Sequence, residues 1–180
     1  MPHDFTSLPH KLDEKACACR AVVETPKGRR GKYDYDAKAR AFRLKTMLPD
    51  GMSFPLDFGF IPSTLADDGD PTDVMILNDE PCPTGALLDV RLIGVIEAED
   101  EEDGKIERND RLLAVAAVSH LYARVQQASD LGDSFVDNLV QFWVNKDRLE
   151  GKAFRCLGVK GPKEAAALVK RTAKAARKKA

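Results

Sequence analysis

Apolar positions along this chain gather in short strand-like runs separated by turn residues, and take up a period near 3.6 only in its last third. Residues 20–25, RAVVET, read as a Val-rich strand ended by Pro26. A basic, Gly-containing turn follows. In residues 32–36 the alternation places Tyr33 and Tyr35 on one face and Lys32, Asp34 and Asp36 on the other, and residues 41–44 form a short partner strand of a hairpin. Further strands are predicted at 57–61, 74–77, 87–98, 112–118 and 154–159, most of them bounded by Pro, Gly or Asp. Two helices complete the pattern. In residues 133–149, Phe135, Leu139, Phe142, Trp143 and Lys146 fall at helical spacing, with Asp133 or Ser134 as the expected cap and Gly151 just past the end. Residues 162–178 repeat the pattern at Ala166, Leu168 and Val169 before turning polar.

Many short strands separated by turn residues, followed by helices, define an α+β, mainly β fold, a small closed barrel with flanking C-terminal helices. At 180 residues, 43% hydrophobic and 32% charged, the chain suits one globular domain with a real core. The division read here is a weakly ordered lead-in over 1–18, a barrel domain over 19–160 and a basic C-terminal helix or tail over 161–180. No apolar run approaches the roughly 18 residues of a membrane span. The start, MPHDFTSLPHKLDEK, lacks a basic and then apolar leader, so a cytoplasmic location is expected, with Cys17, Cys19, Cys82 and Cys156 reduced. His3, His10 and His120 lack ligand spacing, and the Cys17–Cys19 pair lacks the partners of a zinc site.

A net charge of −1 conceals a strong asymmetry. Residues 65–110 hold fifteen acidic against three basic residues, whereas 152–180 hold ten basic against one acidic. The acidic middle fits cation binding and the basic end fits a solvated helix or a weak contact with an anionic partner; neither nucleic acid nor membrane is an expected partner. Its densest part is LADDGDPTDVMIL, where Asp67, Asp68, Asp70 and Asp73 crowd around Gly69 and Pro71 and lead straight into an apolar strand. Asp, Gly and Pro are also ordinary turn formers. Carboxylates held so close repel unless protons or cations neutralise them, and an oxygen-rich cluster suits hard divalent ions such as Mg²⁺. The register of an EF-hand loop is absent. Glu24, Asp34 and Asp100 stand on or beside other strands, so a barrel mouth would collect them with the Asp loop and with Lys32, Lys146 and Arg111 as counter-charges. Such a mouth would hold several Mg²⁺ ions and a polyanion.

The strings VVETPKG, GKYDYD, SFPLDFGFIP, DDGDPTDVMIL, LIGVIEAED and NKDRLEGK, in this order and spacing, resemble the soluble family I inorganic pyrophosphatases over roughly residues 20–152. The resemblance implies a five-stranded OB-like barrel, hexamers as in many bacterial members, and Mg²⁺-dependent hydrolysis of pyrophosphate to two phosphates. Carried across by position, it implies that Asp68, Asp73 and Asp100 are metal ligands and that Asp70 is the base that helps deprotonate a water held between two metals. Glu24 and Asp34 match residues that hold further metals through water, and Lys32 and Lys146 match phosphate-binding cations.

The departures concern mainly the phosphate side. Thr46 stands where the family has a phosphate-binding Arg, and Lys45 beside it points to the opposite face of an extended strand. Phe54, Phe58 and Asn145 replace tyrosines. Asn109 takes the place of a metal-bridging Asp, with Asp110 or Asp103 as its expected substitute, and Arg111 replaces a Lys. Lys45 and Arg111 are the cations available to compensate. Beside pyrophosphate hydrolysis stand two alternatives, a related hydrolase re-aimed at another phosphorylated substrate and a non-catalytic relative that binds metal or phosphate.

Overall fold

Short segments rich in Val, Ile, Leu and Phe form most of the nine strands in the computed structural model, which describes residues 4–179; His3 lies outside them. The strands are β1 (Ala18–Thr25), β2 (Gly31–Asp36), β3 (Ala41–Met47), β4 (Asp57–Phe60), β5 (Asp73–Leu77), β6 (Leu87–Glu102), β7 (Lys105–Arg108), β8 (Arg111–Ala116) and β9 (Ala153–Lys160). Helix α1 (Asp133–Leu149) precedes β9, and α2 (Pro162–Lys179) follows it. Five strands close a ring: β1 pairs with β4, β4 with β5, β5 in parallel with β8, β8 with β6, and β6 returns to β1. β7 and β9 extend the long β6, and β2 and β3 form a separate hairpin.

Because side chains alternate along a strand, the ring feeds two cores. Val74 and Ile76 of β5 pack with Ala165, Ala166, Leu168 and Val169 of α2. Met75 and Leu77 pack with Leu139 and Trp143 of α1 and with Phe54 and Phe58. The expected helical tail thus supplies core residues as far as Ala173, while its lysines and arginines face water.

Five local expectations change. Strand β6 runs to Glu102, four residues past 98, so Asp100 stands within it. Helix α1 is capped by Gly132 with no side-chain cap bond, so neither Asp133 nor Ser134 serves. Lys105–Arg108, outside every predicted strand, pairs back onto β6. Strand β3 runs three residues further than 41–44, to Met47. The lead-in is tied down between residues 4 and 18: the Phe5 ring packs edge-on against Tyr35 and Phe42, and Asp13 bridges to Ala18.

Helix α2 also holds the Asp loop. The Leu65 amide donates to the Thr172 carbonyl at 3.0 Å, and the buried Thr72 hydroxyl donates to the Thr172 hydroxyl at 2.8 Å. Thr172→Val keeps the shape but strands the Thr72 hydroxyl without an acceptor. The expected loss is about 1–3 kcal/mol, read as a lower denaturant midpoint at unchanged slope.

Candidate active site

The loop after β4 folds on its own side chains. Gly69 takes a φ of 91° that a side chain would strain, the Asp70 amide donates to Asp68 Oδ1 at 3.0 Å, and the Ala66 amide closes onto the Asp70 carbonyl at 2.7 Å. This brings Asp68, Asp70 and Asp73 to the wall of a cavity of about 860 Å³. Strand β1 contributes Glu24, β2 contributes Lys32 and Asp34, β6 contributes Asp100, β8 contributes Arg111, and α1 contributes Lys146. Nine of the ten residues expected at the site therefore meet here.

The tenth, Asp110, does not. Its carboxylate accepts from the Ala98 amide at 3.1 Å and from Arg108 Nε at 2.5 Å, and it lines a different groove beside α2. Asp103, the other candidate, lies at the tip of the β6–β7 hairpin with a φ of 52° and does line the cavity. Asn109 lines it too, and donates from Nδ2 to Asp100 Oδ2 at 2.9 Å. Asn145 does not reach it. Phe54 and Phe58 are buried against Trp143, and the Lys32 ammonium sits 5.9 Å above the Phe58 ring. Where a tyrosine would offer a hydroxyl, this wall is apolar.

Two irregularities of pairing bear on which side chains reach the cavity. In β1, Val23 faces Gly59 and Thr25 faces Phe58, so Glu24 is an extra residue bulged between them. In β3, Thr46 faces Lys32 and Leu44 faces Tyr33, so Lys45 is the extra residue. Alternation carried straight through the strand would hold Lys45 and Thr46 on opposite faces. The bulge sets both against the single residue Lys32, and it is Lys45 that lines the cavity.

Charge in the cavity is mixed and incompletely balanced. Asp34 accepts ion pairs from Lys32 at 3.1 Å and Lys45 at 2.5 Å; despite the opposing effect of its burial, these cations hold it below the usual carboxylate range. Burial raises the Glu24 carboxyl to about 8, against the Tyr35 amide that donates to it at 2.7 Å, and the charges of Asp34 and Asp73 raise it further. Burial likewise raises Asp73 to about 6, with Arg111 and Lys32 only partly offsetting it, and raises Asp68. Carboxyls forced this way gain from a cation in their midst.

Rings and carboxylates hold the cationic wall. Arg111 lies 4.0 Å over the Trp143 ring and 4.9 Å from that of Phe154, pairs with Asp100 at 3.0 Å and donates to the Asn109 carbonyl at 2.9 Å. Its Nε stays buried without an acceptor. Lys146 is held at 2.8 Å by both Asp147 and Glu150. Sequence reasoning missed Asp147 and Lys152 as lining residues, although both belong to the NKDRLEGK string.

The donor set, all carboxylate oxygen, fits hard divalent cations rather than soft ones. Among the described residues no three acidic, His or Cys side chains stand close enough to enclose an ion alone. His10 and His120 stand away from the cavity, and Cys17, Cys19, Cys82 and Cys156 are free thiols. Among the described residues no helix is long and apolar enough to cross a membrane.

Fold and cavity together define a class: mainly β proteins whose five-strand ring carries a mixed carboxylate and lysine pocket at one mouth. The sequence pattern describing inorganic pyrophosphatases matches residues 21–177, and on that match the chain belongs to the inorganic pyrophosphatase family. It is 35% identical over 172 residues to an inorganic pyrophosphatase of a Nostoc species, covering 96% of this chain and 98% of that one. It is 34% identical to one from a Synechocystis species over 87% of this chain and 89% of that relative. Its fold superposes on the crystal structure of the inorganic pyrophosphatase of Thermus thermophilus with a TM-score of 0.89, at 29% identity, over 97% of this chain and 99% of the other.

Proposed function

We propose that this chain hydrolyses inorganic pyrophosphate to two phosphates with the help of Mg²⁺. The observation that carries this reading is the single cavity in which Asp68, Asp70 and Asp73 face Lys32, Arg111 and Lys146. A site for a polyanion alone would need no such carboxylates, and a site for cations alone no such lysines. Similarity to inorganic pyrophosphatases along nearly the whole chain supports the same substrate.

Asp68, Asp73 and Asp100 are the residues that would hold ions directly, with Glu24 and Asp34 holding others through water. Bound there, divalent ions supply a water of lowered pKa and neutralise charge on the phosphoryl oxygens. Asp70, exposed at the mouth, takes the proton of the attacking water. An oxygen–phosphorus bond forms from that water, the bridging phosphorus–oxygen bond breaks, and the second phosphate leaves with the bond's electron pair. Lys32 and Lys146 grip phosphate oxygens, and Arg111 fixes Asp100 and backs the cationic wall. No covalent nucleophile is needed.

The same reading makes Mg²⁺ the working ion, the cytoplasm the location and a hexamer the assembly. Oxygen-only donors support the first and unpaired thiols the second. Apolar side chains left in water, Val118 at 79% and Leu121 at 73% exposed, support self-association.

Phosphate release from pyrophosphate, tripolyphosphate, a nucleoside triphosphate and a sugar phosphate tests the reading. Fast release from pyrophosphate alone is expected, abolished by EDTA and restored by excess Mg²⁺. Turnover confined to another member of the panel, or turnover indifferent to EDTA, would overturn it.

A further inference from the structure

Resting on the pyrophosphatase reading above, we propose that Lys45 is a substrate-binding residue. Ordinary alternation from Arg43 puts it on the face of the hairpin that meets the cavity, where with Lys32 it makes a two-lysine clamp for one phosphoryl group, held ready by Asp34. Asp34 faces Arg43, and Lys45 shares the Arg43 face by ordinary alternation; Thr46 returns to that same face because the bulge pairs it with Lys32. Lys32, Asp34 and Lys45 are thereby gathered on one side of the hairpin, and all three line the cavity.

The distances show how the clamp rests. One Asp34 carboxylate holds both ammoniums, Lys32 on Oδ1 at 3.1 Å and Lys45 on Oδ2 at 2.5 Å. The Lys45 side chain is 59% exposed, so its ion pair is screened and easily exchanged. A phosphoryl group carries more charge than the carboxylate and offers three acceptor oxygens, so it competes well for both lysines. A lysine is a flexible point charge, able to swing from one oxygen to another without the fixed geometry an arginine fork imposes. Asp34 is a positioning residue: it keeps two like charges together in the absence of substrate.

Thr46 does not line the cavity, so the cation at this end of the hairpin is Lys45 and not its neighbour. This explains how a chain with threonine at position 46 keeps a phosphate grip there.

The test compares Lys45→Ala, Lys45→Arg, Thr46→Ala and the double variant Lys45→Ala with Thr46→Arg. Pyrophosphate kinetics with Mg²⁺ are joined by calorimetric binding of methylenediphosphonate, a non-hydrolysable analogue, and by thermal melting. Lys45→Ala should raise KM and weaken analogue binding by about ten- to a hundredfold, the value of one charge-assisted hydrogen bond, with kcat changed far less and melting unchanged. Thr46→Ala should match the parent and Lys45→Arg should stay near it. The double variant should recover most of the lost affinity, because position 46 shares the face; a purely structural role for Lys45 would show no such rescue. Unchanged KM and analogue affinity in Lys45→Ala would overturn the proposal, as would a fall in kcat alone. If the parent binds the analogue but does not turn over pyrophosphate, the hydrolase reading fails while the affinity difference still decides Lys45. A parent that binds no analogue overturns both.

Discussion

Asp70→Asn should lower kcat for pyrophosphate by about 10²- to 10⁴-fold, the range general-base catalysis contributes, while leaving the fold intact. Asn is isosteric with Asp, and the bonds that shape the loop use the Asp70 backbone, its amide on Asp68 and its carbonyl on Ala66. No hydrogen bond or ion pair in the loop depends on its carboxylate, which stands exposed at the cavity mouth. Melting temperature and Mg²⁺ affinity should therefore stay close to the parent's, with KM moving less than kcat. Parent-like kcat in the variant would remove Asp70 from the role of base. A large fall in Mg²⁺ affinity would recast it as a ligand.

Gly59→Ala is expected to be the most damaging small change to the fold. A Cβ at this position would lie 1.9 Å from the Val22 carbonyl oxygen and 3.0 Å from Val23 Cα, both backbone atoms that cannot swing aside. Gly59 sits in β4, opposite Val23 and next to the place where Glu24 bulges out of β1. Relief requires β1 and β4 to separate, which opens the ring and displaces Glu24. Overpacking in cores costs about 1–3 kcal/mol, and a clash with backbone belongs at or above the upper end. Gly161→Ala, where a Cβ meets only the Glu164 carboxylate at 3.2 Å, is the matched control and should shift stability by less than about 0.5 kcal/mol. Equal denaturant midpoints for the two variants would mean that the strands are not so closely apposed.

Much of this was legible before any coordinates. Helix α1 spans the residues its 3.6-residue period marks, because Phe, Leu and Trp repeat on one face and Gly151 ends it. The Asp loop was legible because Gly69 and Pro71 leave the backbone few shapes and the carboxylates are adjacent in sequence. What stayed hidden depends on partners distant in the chain. Alternation puts Lys45 and Thr46 on opposite faces; only the register with β2 reveals the bulge. Asp110 was as good a candidate as Asp103 by composition, yet the Ala98 amide and Arg108 claim it from outside the cavity. Arg111 is fixed between Trp143 and Phe154, rings that no local pattern brings near it. Strand β7 escaped notice because KIER carries one apolar residue and pairs only along an extension of β6.

The bond between Thr72 and Thr172 joins residues 100 positions apart. A ribosome makes the chain from the amino end, so the loop bearing Asp68, Asp70 and Asp73 emerges long before the helix that holds it. During that interval Leu65 and Thr72 lack their acceptors on α2, and the carboxylates are spaced only by the loop's own turns. The nascent chain therefore presents an unfinished cluster and completes it only once α2 has been made. Maturation of the Asp loop is in this sense timed by translation of the helix that anchors it.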